Sequence, residues 1–217
     1  MKIIQSILLL TLLICLTKVS QAQEKKFVLS APLQYTVDNY GDEYSPLTKA
    51  RNFLINPQLM YRINKHWALG PIVSIGISKQ SYDMKNYNNY IPSNTSYGQK
   101  ATTIKYGLSM QRYLYDNGTI QLFTEINGLF GNYKSKMVDV PDGISFSSNS
   151  QKYNSFEAGL NLGGRYQFTK TLGIEARINH LVSYNKKSNK EDDYKNSQFN
   201  LISNVFNSAS VGIAFNF

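Results

Sequence analysis

Seven charged residues recur among Gly, Ser, Asn and Gln at alternate positions of otherwise apolar segments: Arg62, Lys105, Glu125, Glu157, Arg165, Glu175 and Arg177. Carboxylates and guanidinium groups in such a mixture can pair with one another. Metal and nucleophile chemistry have thinner support. The histidines are His66 and His180 and the sole cysteine is Cys15, whereas structural and catalytic metal sites draw on several such side chains. No phosphate-binding Walker loop, dinucleotide-binding glycine pattern or Gly-x-Ser-x-Gly elbow occurs. No catalytic, cofactor-binding or metal-binding residue is therefore assigned, and no cofactor is expected. Asn117-Gly118-Thr119 matches a glycosylation sequon and reads better as a turn.

The segments that carry these charges alternate with period two, the pattern of strands with one apolar and one polar face. Eight runs show it: Phe27 to Val37, Asn52 to Ile63, Trp67 to Ser78, Thr102 to Tyr115, Thr119 to Tyr133, Tyr153 to Phe168, Leu172 to Tyr184, and a last run from Val205 to Phe217. The fifth is the weakest, because Phe123 and Leu129 depart from its alternation. The composition agrees with a β-rich domain. Charged residues are 17% of the 217, yet mean hydropathy is −0.33, so the polarity comes mainly from uncharged side chains, while 42% hydrophobic and 13% aromatic residues exceed what a disordered chain carries.

The connections alternate in length. Asn64-Lys65-His66, Asp116-Asn117-Gly118 and Thr169-Lys170-Thr171 read as three-residue turns, whereas Asp38 to Arg51, Lys79 to Ala101, Lys134 to Lys152 and Asn185 to Gln198 read as long polar loops. Folding about Lys65 pairs Ile63 with Trp67, about Asn117 pairs Met110 with Thr124, and about Lys170 pairs Phe168 with Leu172, which keeps the apolar faces in register. Gly118 is expected to be left-handed. The same parity sets Arg165 across from Glu175, a stabilising placement of opposite charges.

An eight-stranded antiparallel up-and-down barrel of the all-β class follows, and its polar face says which way it is turned. Eight strands leave a lumen just wide enough for side chains, which suits ion pairs among Arg62, Lys105, Glu125, Glu157, Arg165, Glu175 and Arg177. The apolar, aromatic-rich face is then outside, in lipid: a transmembrane β-barrel. Tyr35, Phe53, Tyr153, Tyr184 and Phe199 gather at the loop end, and Tyr61, Trp67, Tyr115, Tyr166, Phe168 and Phe217 at the turn end, as two girdles.

Met1-Lys2, the apolar run Ile7 to Ile14 and Ser20-Gln21-Ala22 form the three regions of a signal peptide, with cleavage expected after Ala22. The expected division is 1–22 signal peptide and 23–217 barrel domain. Cys15 follows Ile14, where lipoprotein signals resemble one another in having Gly or Ala, so no lipid anchor is expected. Loss of Lys2 and Lys18 leaves 21 basic against 14 acidic residues, a net charge of +7. No basic stripe with interleaved aromatics occurs on one face, which argues against nucleic acid, and attraction to anionic lipopolysaccharide is the expected use of the charge.

With the final strand Val211-Gly212-Ile213-Ala214-Phe215-Asn216-Phe217, these features resemble the outer-membrane β-barrel domain family, which includes the OmpX-like and OmpA-like barrels and the PorT-like proteins. The resemblance implies a Gram-negative outer membrane, with loops extracellular and termini periplasmic. It also implies that Val211, Ile213, Phe215 and Phe217 are the signal read by the barrel-assembly machinery. Some lipid A deacylases are eight-stranded barrels with a His and a Ser on the lipid face. Here parity puts His180 on that face but gives it Val182, not Ser, two residues on. The expected function is therefore non-enzymatic: envelope integrity or surface binding through loops that carry Tyr82, Tyr87, Tyr90 and Tyr97. The alternatives are a small porin-like pore or transport component, a secretion-apparatus component with a protein partner, and a lipid A-modifying enzyme.

Overall fold

The computed structural model describes residues 26–39, 47–84, 95–138, 151–189, 194–202 and 204–217. The expected signal peptide, Cys15 and the loop residues Tyr87 and Tyr90 lie outside them. Ten segments build the wall: β1 (Phe27–Asn39), β2 (Leu47–Ile55), β3 (Gln58–Arg62), β4 (Trp67–Met84), β5 (Thr95–Asp116), β6 (Ile120–Val138), β7 (Gln151–Gln167), β8 (Leu172–Asn189), β9 (Tyr194–Leu201) and β10 (Ala209–Asn216). All pairings are antiparallel between neighbouring positions around the wall, and β10 returns to β1 to close the ring.

Ten segments occupy eight positions. The expected strand from Asn52 to Ile63 is interrupted at Asn56-Pro57, and both halves, β2 and β3, pair with β1 on one side and β4 on the other. Proline has no N–H to give the ladder, although its carbonyl still accepts from Val73 N–H at 2.9 Å. The last position is likewise split into β9 and β10, both paired with β8 and separated by a short 3₁₀ turn, Phe206–Ser208. Val205 therefore lies in a turn and not at the head of the final strand.

Two of the three short hairpins have the expected register, with Ile63 N–H to Trp67 O and Phe168 N–H to Leu172 O both at 2.9 Å. The third differs: Met110 pairs with Ile126, not Thr124, because a bulge between Tyr113 and Tyr115 and a wider turn add a pair of residues. The added number is even, so the faces are preserved. Gly118 is left-handed at φ 85°, and the Asn117 side chain caps the turn by accepting from Thr119 and Ile120 N–H.

At the other end the strands run far into the stretches expected to be loops. β4 continues to Met84, β5 begins at Thr95, β6 reaches Val138 and β8 reaches Asn189. These extensions are polar on both faces, so the alternation that marks a strand disappears while the ladder goes on. The wall is uneven there. β10 accompanies β1 only as far as Val211–Leu33, and no described strand pairs with that edge of β1 beyond it. The 3₁₀ turn leans on the edge through Gln34 and Asp38, which bond Asn207.

Candidate functional site: the filled lumen

Alternation turns the polar side of every wall strand inward, and the interior is packed with charge. Arg165, Gln111, Glu125 and Glu175 are among the most completely buried side chains of the molecule, beside Phe123 and Met60. Arg165 donates to Glu175 from Nε at 3.0 Å and to Gln121 at 2.8 Å. Arg177 donates to Glu125 at 2.7 and 2.9 Å and pairs with Glu175 as well. Glu125 also accepts from Gln111 at 2.8 Å and Asn161 at 2.9 Å. The network thus ties β5, β6, β7 and β8 across the lumen. Charges taken so far from water survive through such complete pairing, and loss of one partner costs about 3–5 kcal/mol.

Phe123 and Leu129 do not break the fifth run: they are interior positions of β6, 0% and 3% exposed. Phe123 sits opposite Gly163, where an added Cβ would come within 2.4 Å of its ring, so this glycine makes room for the aromatic. The guanidinium carbons of Arg165 and Arg177 lie 5.3 and 5.5 Å from the ring centroid. An aromatic face toward two cations is an electrostatic contact as well as filler. Tyr113, also interior, lies 4.3 Å beneath the Arg62 guanidinium. Tyr153, expected in the outer girdle, is on the inner side of β7 and packs against Tyr133 at 6.0 Å.

Arg62 stands apart from the main cluster, at the short-turn mouth, where it pairs with Asp116. Burial pushes the Asp116 carboxyl up, but hydrogen bonds from Arg62 and Gly118 N–H, together with the Arg62 charge, hold it below its ordinary range. A cavity of about 890 Å³ opens at this mouth between Lys26, Lys65, His66 and Lys170 and reaches inward to Tyr113 and Gln121. Above it stand Arg165 and Phe123.

Lys105 and Glu157 pair nearer the long-loop end. His180 joins them, its Nε2 2.8 Å from Glu157 Oε1, so it faces inward and not toward lipid as parity implied. The cause is a bulge. Leu160 pairs with Val182 and Leu162 with Ile178, which leaves Asn179, His180 and Leu181 opposite Asn161 alone. His180 takes φ 56°, and the Asn161 side chain accepts its N–H at 2.8 Å. Together with Val182 in place of a serine, this removes the geometric basis for a lipid-facing nucleophile pair at His180. Among the described residues no three potential metal ligands cluster.

The outer membrane protein beta-barrel domain family matches residues 6–203. The chain belongs to that family. No curated protein matches it. Solved structures that are similar include the attachment invasion locus protein Ail of Yersinia pestis, 16% identical, covering 90% of this chain and 100% of that one with a TM-score of 0.37. The N-terminal barrel of Pseudomonas aeruginosa OprF is 12% identical over the same shares, with a TM-score of 0.39. A major outer membrane protein of Thermus thermophilus is 9% identical, again over 90% and 100%, at 0.45. As a member of the family the chain is an outer-membrane barrel, and its outer wall is built for that solvent. Ile104, Tyr106, Leu108 and Ile126 are each more than half exposed, and Val211, Ile213 and Phe215 point outward from β10. Arg112 lies 5.6 Å over Trp67 at the short-turn border of this band.

Proposed function

We propose that the protein is a non-enzymatic, non-conducting barrel that serves envelope integrity or surface binding from its long-loop end. The observation that carries this reading is the ion-pair network of Arg165, Glu175, Arg177 and Glu125, each at most 3% exposed, which occupies the lumen between the short-turn cavity and the Lys105–Glu157 pair. So read, the plug of paired charges blocks water, with its carboxylates turned to Arg165, Arg177, Gln111 and Asn161 and away from any accessible substrate. In this reading the signal peptide is removed after Ala22, the long-loop end faces outside, and the strand ending at Phe217 is the segment read by the assembly machinery. The test is single-channel recording from the refolded chain in planar bilayers. No conductance steps are expected; stable ohmic openings would replace this reading with a pore.

A further inference from the structure

Above the apolar band, the outer wall carries cations in register. Arg51 on β2 pairs with Lys79 on β4, Lys79 with Lys100 on β5, and Lys100 with Lys136 on β6, so four strands in succession present a positive side chain in one row. In the row beneath, Lys134 and Lys152 are partners on β6 and β7. All six lie on the outer face, and none of them forms an ion pair among the described residues. No described carboxylate shares either row. Like charges directly opposite one another destabilise a sheet, and here the arrangement is repeated four times on one surface.

The surroundings say what would relieve it. A cavity of about 520 Å³ on this wall is lined by Lys100, Lys134 and Lys136 on its polar side and by Ile104 and Tyr106 on its apolar side. Further down the same strands stand Ile75, Ile77, Ile104 and Phe130, the start of the lipid-facing band. A ligand that fits must be anionic at the top and apolar below. The main row spans three inter-strand spacings, about 14 Å, which suits several anionic groups on one headgroup better than a single phosphate.

We infer that Arg51, Lys79, Lys100 and Lys136, with Lys134 and Lys152 beneath, bind the phosphorylated sugar headgroup of lipopolysaccharide, whose acyl chains then lie along Ile104 and Tyr106. This rests on the reading that the long-loop end faces the outer leaflet.

The test compares the refolded chain with the variant Lys79→Gln/Lys100→Gln/Lys136→Gln in phosphatidylcholine vesicles with and without lipid A. Lipid A is expected to raise the thermal midpoint of the parent chain by about 4 °C and to raise that of the variant by less than half as much. In phosphatidylcholine alone the variant is expected to be as stable as the parent or more so, because charge repulsion has been removed. Lys170→Gln, at the short-turn end, should keep the full response. An equal response of parent and triple variant would overturn the site, as would an equal rise with phosphatidylglycerol at matched charge, which would mean undirected attraction. Vesicles carry lipid A in both leaflets, so the outcome does not depend on orientation. Protease access to the long-loop end in intact cells tests orientation separately.

Discussion

Glu125 sits on β6 and accepts from Gln111 on β5, Asn161 on β7 and Arg177 on β8, so one carboxylate holds four strands. Glu125→Ala removes the carboxylate that the Gln111 and Asn161 amides donate to and takes from Arg177 one of its two carboxylate partners. The expected loss is about 3–5 kcal/mol, measured by urea unfolding of the barrel in lipid vesicles. Replacing Glu125 and Arg177 together by Leu and Met should cost less than the single change, since no orphaned charge remains. That Arg62, Lys105, Glu125, Glu157, Arg165, Glu175 and Arg177 share one face was legible in the sequence from alternation, and the Arg165–Glu175 pairing from the length of one turn. The Glu125–Arg177 contact was not. It joins residues 52 apart across the lumen, and no pattern along a strand encodes what stands opposite through the interior.

Irregularities within strands account for most of what the sequence concealed. Phe123 and Leu129 looked like errors of period because apolar residues were assumed to face lipid, yet a lumen only a few side chains wide uses them as filler among paired charges. The bulge at Asn179, His180 and Leu181 left no trace in the spacing, since it adds an even number of residues and the faces realign beyond it. The ends of β4, β5, β6 and β8 were hidden for another reason: outside a bilayer neither face of a strand needs to be apolar. The bulge makes its own prediction. His180 combines φ 56° with a hydrogen bond to Glu157, so His180→Ala keeps the strained backbone and takes from Glu157 the partner it has besides Lys105. A loss of about 1–3 kcal/mol is expected. His180→Gly relaxes the backbone and should lose less. Urea midpoints of the two variants in the same vesicles check the order; a more stable alanine variant would contradict it.

Across the whole molecule, acid sensitivity enters partly through the short-turn mouth. The Asp116 carboxyl is held below its ordinary range in the folded barrel. Its contribution is therefore present above the unfolded value of about 4 and is lost as pH falls through the folded one. Unfolding midpoints should hold down to about pH 5 and fall as pH drops below about 4, and Asp116→Asn should lower the value at neutral pH while shrinking that fall; a fall of unchanged size would exclude the Arg62–Asp116 pair as a source. The two ends also differ in how the ring is fastened. From Val28 to Leu33, β1 is laced to β10, and Phe27 and Phe217 exchange backbone hydrogen bonds of 2.9 and 3.0 Å. Beyond Leu33 that lacing stops, and the wall is held there by side chains of the 3₁₀ turn. In mechanical terms the barrel is a sealed tube at its base and a slit tube at its rim. A slit tube resists opening only through what spans the slit, here the bonds of Asn207 to Gln34 and Asp38, whereas the base resists through its ladder.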